Sequence, residues 1–229
     1  MSMPIDTKAL RNFTAKLGYD FADKSWLERA VRHASLDVDD DNEHLEFLGD
    51  RVLGLVIAED LLSRYSGESE GDLARRLGQL VSRKTCAQIA KTIDLGAIIQ
   101  ADKAAMSNTG MTDNILANAC EAVLAAVYFD GGLKAARQVI MTHWAPHYDK
   151  QVEAPIDHKS ALQEWTMKRG QPLPDYEIID QQGPAHAPEF TVIVRTQEAQ
   201  AVAKGKSRRM AEQLAAADCL KQMTSKGQN

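Results

Sequence analysis

The chain has 229 residues, 44% hydrophobic and 26% charged, enough for one or two cores and too apolar for a disordered polymer. Apolar runs free of charge, such as Val52 to Ala58, fall far short of the roughly 18 to 20 residues of a membrane span, and no basic-then-apolar leader opens the sequence; a cytoplasmic protein with no membrane partner is expected. Net charge is −5 but uneven: residues 156–229 carry +1 and the remainder −6, and Lys204, Lys206, Arg208 and Arg209 fall close together in the tail.

From about Asp6 to Trp144 the apolar residues recur at helical spacing, as in Leu45, Leu48, Val52, Leu55 and Val56, and again in Ile115, Ala119, Ala122, Val123 and Ala126. A helical domain is expected. Asp72 after Gly71 reads as the N-cap of one helix running from Leu73 through Gln79 into Lys91, and Gly131-Gly132 ends a long helix before Leu133 begins another. The stretch APHYDKQVEAPID has two prolines, mixed charge and no period, and reads as a linker. The boundaries are placed at 1–148 for the helical domain, 149–156 for the linker and 157–226 for a second domain.

After the linker, Lys159 to Arg169 reads as a short helix closed by Gly170 and Pro172. Tyr176 to Asp180, Phe190 to Thr196 and Ala199 to Ala203 read as strands, the first two separated by the turn-rich QGPAHAP. Ser207 then caps a helix with Met210, Leu214, Ala217 and Leu220 on one face, so the expected order is α-β-β-β-α.

The run NEHLEFLGDRVLG, Asn42 to Gly54, sets acids into an otherwise apolar helix. At about 3.6 residues per turn, positions i, i+3 and i+7 share a face, so Glu43, Glu46 and Asp50 form one stripe; Arg51 is not expected to face it. The stripe is either a solvated acidic face near a helix N-terminus or a compensated cluster, because buried carboxylates cost several kcal/mol each unless paired or metal-bound. Two features favour the second. Gly49 and Gly54, each costing about 1 kcal/mol against alanine in a helix, suggest close backbone approach. The apolar helix ILANACEAVLAAVYFDGG, Ile115 to Gly132, is interrupted on one face by Asn118 and Glu121. Packed against each other, the two helices would gather Glu46, Asp50, Asn118 and Glu121, and an all-oxygen set selects a hard cation, Mg²⁺ or Mn²⁺.

These residues also resemble a known family. NEHLEFLGDRVLG is similar to the signature of bacterial ribonuclease III, with RHAS upstream, SEGDLARRLGQLVS in the middle and ILANACEAVLAAVYFDGG downstream; KSALQEW, PEFTVIV and KGKSRRMAEQLAA resemble the double-stranded-RNA-binding domain that follows in that family. The resemblance implies an all-α endonuclease domain followed by a small α+β domain. It also implies a homodimer that hydrolyses both strands of double-stranded RNA with Mg²⁺, Mn²⁺ being a possible substitute, leaving 5′-phosphate and 3′-hydroxyl ends in rRNA and mRNA precursor processing. Carried over by position, Glu46, Asn118, Glu121 and Asp50 are metal ligands, Asp50 and Glu121 are catalytic, Glu43 and Glu70 are supporting acids, and Phe47 is a dimer contact. Gln163, Glu164 and His186 match minor-groove contacts, and Lys204, Lys206, Arg208 and Arg209 match phosphate contacts at a helix N-terminus.

Asn118 departs from the family, which usually has aspartate there. An amide oxygen can coordinate a hard cation but brings no charge, so metal affinity is expected to fall; the alternative is a double-stranded-RNA-binding protein with impaired cleavage.

Other spacings do not support sites. Cys86, Cys120 and Cys219 are scattered and form neither a disulfide framework nor a zinc cluster. DVDDDNE lacks the glycine and final glutamate of a calcium loop. Pro146 separates His143 from His147.

Overall fold

A computed structural model of the chain describes residues 6–102, 105, 111–148, 157–184 and 187–226. The chain divides into two compact units, residues 1–155 and 156–229. The expected linker, 149–156, lies outside the described residues.

The first unit is built from α1 (Thr7–Leu17), α2 (Lys24–Ala30), α3 (Glu43–Arg64), α4 (Glu70–Leu80), α5 (Arg83–Thr92) and α6 (Asp113–Tyr148). The helix ends are written in short polar residues: Asp6 accepts from Lys8 N and Ala9 N, and Gly18 closes α1 in the left-handed region at φ 73°. Where the sequence suggested one helix across residues 73–91, there are two. Ser69 caps α4, accepting from Asp72 N, and Ser82 caps α5, accepting from Thr85 N. Asp72 is therefore a first-turn residue, and a second serine cap breaks the apolar periodicity that runs through Val81.

Helices α3 and α6 form the centre of the core, with Leu45, Leu53, Val56 and Ile57 buried on one side and Ala119, Ala122, Val123 and Ala126 on the other. Gly49 is what lets them approach. A Cβ there would lie 1.8 Å from the Glu121 carbonyl oxygen, whereas one at Gly54 meets nothing within 4 Å. The close approach expected at both glycines therefore exists only at Gly49, and Leu55, expected on the packed face, is 55% exposed.

Helix α6 leaves helical geometry at Gly132 (φ 73°, ψ −178°), as the Gly131-Gly132 pair implies, and carries Pro146 within its last turns, where a linker was expected. It is the one helix among the described residues long and apolar enough to cross a membrane, but most of its apolar window is buried inside this unit. Asp130 ties it to the α1–α2 turn by accepting from Tyr19 Oη at 2.7 Å and from the backbone N–H groups of Ala22 and Asp23. Trp144 Nε1 donates to Leu80 O at 2.9 Å, satisfying a fully buried indole.

The second unit runs α7 (His158–Met167), β1 (Asp175–Gln182), β2 (Glu189–Arg195), β3 (Gln200–Gly205) and α8 (Arg208–Lys226). The strands form an antiparallel sheet in the order β1-β2-β3, with an irregularity between Ile178 and Asp180. Leu162 and Val194 pack with Ala215, Ala216, Cys219 and Met223 in a small core. The buried face of α8 matches the expected one only in part: Ala217 is buried and Leu220 packs against the small core, but Met210 and Leu214 are 49% and 41% exposed, and Ala211, Ala215 and Ala216 turn inward instead. Close packing is the reason, since a Cβ on Gly205 would already lie 2.5 Å from Ala211 N, leaving room on that side only for small residues.

Candidate active site and RNA-binding surface

The acid stripe of α3 and the polar interruption of α6 meet. Glu43, Glu46, Phe47, Asp50, Arg51, Asn118 and Glu121 line one open depression of about 360 Å³. The placement follows from local rules: a helical period puts Glu43, Glu46 and Asp50 on one wall, an i, i+3 step puts Asn118 and Glu121 on the other, and Gly49 sets the walls close together. Glu46, Asp50, Asn118 and Glu121 are half-buried and Glu43 is exposed. Glu70 begins α4, is exposed, and is not among the residues lining the depression. Phe47 lies on the rim at 63% exposure, large for a phenylalanine.

The electrostatics are those of a crowded acid site. Burial, reinforced by the charges of Asp50 and Glu46, pushes the Glu121 carboxyl up to about 7. Glu46 is also raised, by burial first and then by Glu43 and Asp50, while the positive charge of Arg83 and a hydrogen bond from Asn118 act the other way. Asn118 thus does something an aspartate could not: its amide steadies the charged form of Glu46 instead of adding another negative charge.

Three features of the site had no signal in the sequence. Arg51 turns toward the acids rather than away, with Nη1 2.9 Å from Asp50 Oδ2 and 3.1 Å from the Phe47 carbonyl, its guanidinium stacked 4.0 Å from the Phe47 ring centre. Arg83, the first residue of α5, lowers both Glu46 and Glu121 by its charge. Cys86, fully buried, stands with Sγ 3.8 Å from Glu121 Oε1 and 3.9 Å from Val81 O, so its single S–H is shared between two acceptors. Burial, together with the neighbouring Cys120 and Glu121, drives its thiol far above the ordinary range, keeping it protonated.

The donor set suits a hard divalent cation: three carboxylates and one amide oxygen around one depression, with a carboxyl whose raised pKa a cation would relieve. Among the described residues no group of three His, Cys, Asp or Glu side chains is already drawn together tightly enough to hold an ion.

In the second unit, Gln163 and Glu164 are exposed on α7. Lys204 at the end of β3 pairs with Glu189 at 3.3 Å, and Lys206, Arg208 and Arg209 are exposed around the start of α8. Arg208 Nε donates to Glu212 at 2.8 Å, and Lys159 Nζ reaches the other oxygen of the same carboxylate at 2.6 Å. Burial opposes the charge of Glu212, but these two hydrogen bonds outweigh it and hold its carboxyl below the ordinary range. Glu212, which sequence reasoning did not single out, joins α7 to α8 and fixes Arg208. His186 lies outside the described residues.

Residues 23–148 match the family model for Ribonuclease-III-like proteins, and residues 158–223 match the Double-stranded RNA binding motif. The chain belongs to the ribonuclease III family. It is 48% identical to Ribonuclease 3 of Caulobacter vibrioides over 217 residues, covering 91% of this chain and 93% of that one. Against Ribonuclease 3 of Cereibacter sphaeroides identity is 43%, covering 99% of both chains. The ribonuclease III nuclease domain of Campylobacter jejuni superposes with a TM-score of 0.58 at 33% identity, covering 61% of this chain and 99% of that structure. An all-α ribonuclease III endonuclease domain followed by an α+β double-stranded-RNA-binding domain is therefore the fold of this chain, and the ribonuclease III family to which it belongs is metal-dependent.

Proposed function

We propose that this ribonuclease III-family endoribonuclease cleaves both strands of double-stranded RNA at the acidic depression, with Glu46, Asp50, Asn118 and Glu121 holding Mg²⁺, for which Mn²⁺ can substitute. The observation that carries the reading is the convergence of these four oxygen-bearing side chains from α3 and α6 in a chain that also carries a double-stranded-RNA-binding domain. A bound divalent ion supplies charge neutralisation at the phosphoryl group and lowers the pKa of a water. Asp50 and Glu121 act at the reacting centre, and Glu43 and Glu70 support them from the margin. The oxygen of the attacking water ends on the 5′-phosphate, the P–O3′ bond breaks, and the departing 3′ oxygen takes a proton.

The second domain recruits the substrate. Gln163, Glu164 and His186 meet minor grooves, and Lys204, Lys206, Arg208 and Arg209 meet the phosphates between them, where the α8 N-terminus also favours anions. Phe47, exposed beside the site, is the contact through which the chain forms a homodimer. The setting is cytoplasmic processing of rRNA and mRNA precursors, and the working division of the chain is 1–148, 149–156 and 157–226.

The test is a labelled RNA hairpin incubated with the purified chain at low salt, with and without Mg²⁺. Metal-dependent fragments with 5′-phosphate ends are expected. Asp50→Ala and Glu121→Ala should each lower cleavage by about a thousandfold, the several kcal/mol a catalytic metal supplies, with the gel shift retained. A shift without fragments at any Mg²⁺ or Mn²⁺ concentration would instead favour the second reading, an RNA-binding protein whose cleavage Asn118 has disabled.

A further inference from the structure

Four carboxylates, those of Glu43, Glu46, Asp50 and Glu121, surround the depression that a phosphodiester must enter. One divalent cation leaves that wall net negative when all four are ionised, so an approaching phosphate still needs a cationic contact. Among the described residues lining the depression, Arg51 is the one cation. Its place is fixed on two sides: Nη1 is bonded to Asp50 and to the Phe47 carbonyl, and one face of the guanidinium lies on the Phe47 ring. A guanidinium carries five N–H donors in a rigid plane. With Nη1 engaged, no hydrogen bond among the described residues engages Nε or Nη2, and the side chain is 57% exposed. Arg83 acts on Glu46 and Glu121 through its charge but does not line the depression.

We propose that Arg51 is a substrate-contacting residue of the cleavage site: its free N–H edge binds a non-bridging oxygen of the RNA phosphate, while Nη1 keeps Asp50 oriented. The inference rests on the proposed reading of the depression as the cleavage site. An arginine is suited to both tasks because the donors of its plane point in different directions; a lysine ammonium in the same place is a point charge without that division.

The experiment compares the full-length wild-type chain with Arg51→Ala and Arg51→Lys on one RNA hairpin in Mg²⁺, across a salt series, alongside Mn²⁺ titration by calorimetry without RNA. Arg51→Ala is expected to lower kcat/KM by about ten- to a hundredfold, the value of a charge-assisted hydrogen bond, and to make its salt dependence shallower by about one unit. Arg51→Lys should fall between, and Mn²⁺ affinity should not weaken in either. Full or increased activity in Arg51→Ala would overturn the proposal and leave Arg51 as a neutraliser of Asp50. So would a loss of Mn²⁺ affinity as large as the loss of activity, or equal losses in both variants accompanied by a lowered Tm. If the wild type binds without cleaving, the cleavage reading fails on its own; the salt slope of binding in Mg²⁺ then decides the Arg51 contact, and an unchanged slope in Arg51→Ala rejects it.

Discussion

The acidic depression and the basic surface of the RNA-binding domain handle charge in opposite ways. Glu121 and Glu46 are partly buried and pressed against like charges, so that burial first, and then each neighbour's charge, raises both carboxyls. Around Arg208 and Lys159 opposite charges are matched through Glu212, whose carboxyl is held low. A small multivalent cation would relieve the first arrangement; the second is already settled within the fold. Unpaired like charges keep their repulsion until a counter-ion arrives, whereas paired charges remove it and hold a fixed geometry.

Four changes would break or sharpen this contrast. Gly49→Ala forces a methyl against the Glu121 carbonyl at the α3–α6 crossing and should destabilise the nuclease domain by about 3 kcal/mol, the upper end for overpacking, together with loss of cleavage. Thermal unfolding measures it, and an unchanged Tm would show that the helices can slide apart freely. On the basic side, the double change Lys206→Ala and Arg209→Ala should make the salt dependence of RNA binding shallower by about two units while leaving the melting of the domain within about 0.5 kcal/mol. A slope that stays as steep would place the phosphates elsewhere.

Asn118→Asp adds a charged ligand and removes the donor to Glu46. The Mg²⁺ concentration for half-maximal cleavage should fall by about tenfold, one charge-assisted contact, and an unmoved titration would mean that Asn118 does not touch the ion.

The smallest effect is one of pH. Because Glu121 is raised to about 7 in the folded chain, the stability linked to its protonated form is fully present below the ordinary carboxylate range and is lost as pH rises through 7. Glu121→Gln, neutral throughout, should therefore be more stable than the wild type at pH 8 without divalent metal, by about 1 kcal/mol after allowance for solvent screening, and nearly equal to it at pH 4. Added Mg²⁺ should narrow the gap by stabilising the wild type. Urea denaturation at the two pH values checks this, and the opposite order at pH 8 would contradict the raised carboxyl.

Much of the candidate site is legible in the sequence. Glu43, Glu46 and Asp50 share a face because helical periodicity is a property of the chain itself, and Asn118 and Glu121 stand out because polar residues interrupt an otherwise apolar run. Gly49 was legible as a helix glycine with a cost, although its neighbour in the same pattern, Gly54, turned out to face open space. Local rules register that a glycine is unusual and are silent on which other backbone it admits. The helix break at Ser82 is hidden for a related reason: a serine beside apolar residues reads equally as a cap or as part of a continuing helix, and the buried Leu80, whose carbonyl accepts from Trp144 Nε1 instead of continuing the helix, settles which.

What the sequence by itself determined is most of the helices and the strands, with the break between α4 and α5 as the exception, their order along the chain, and the acid stripe, because each depends on residues a few positions apart. The tertiary structure alone decided that Arg51 folds back onto Asp50, that Cys86 lies beneath Glu121, that Glu212 joins Lys159 to Arg208, and that α8 buries its alanines rather than Met210 and Leu214. Most of these depend on contacts between residues far apart in the chain; the Arg51 and Glu212–Arg208 contacts, though short-range in sequence, turn on which of several rotamers the surrounding packing selects. No local pattern carries that choice, since the energy that decides it belongs to the assembled core.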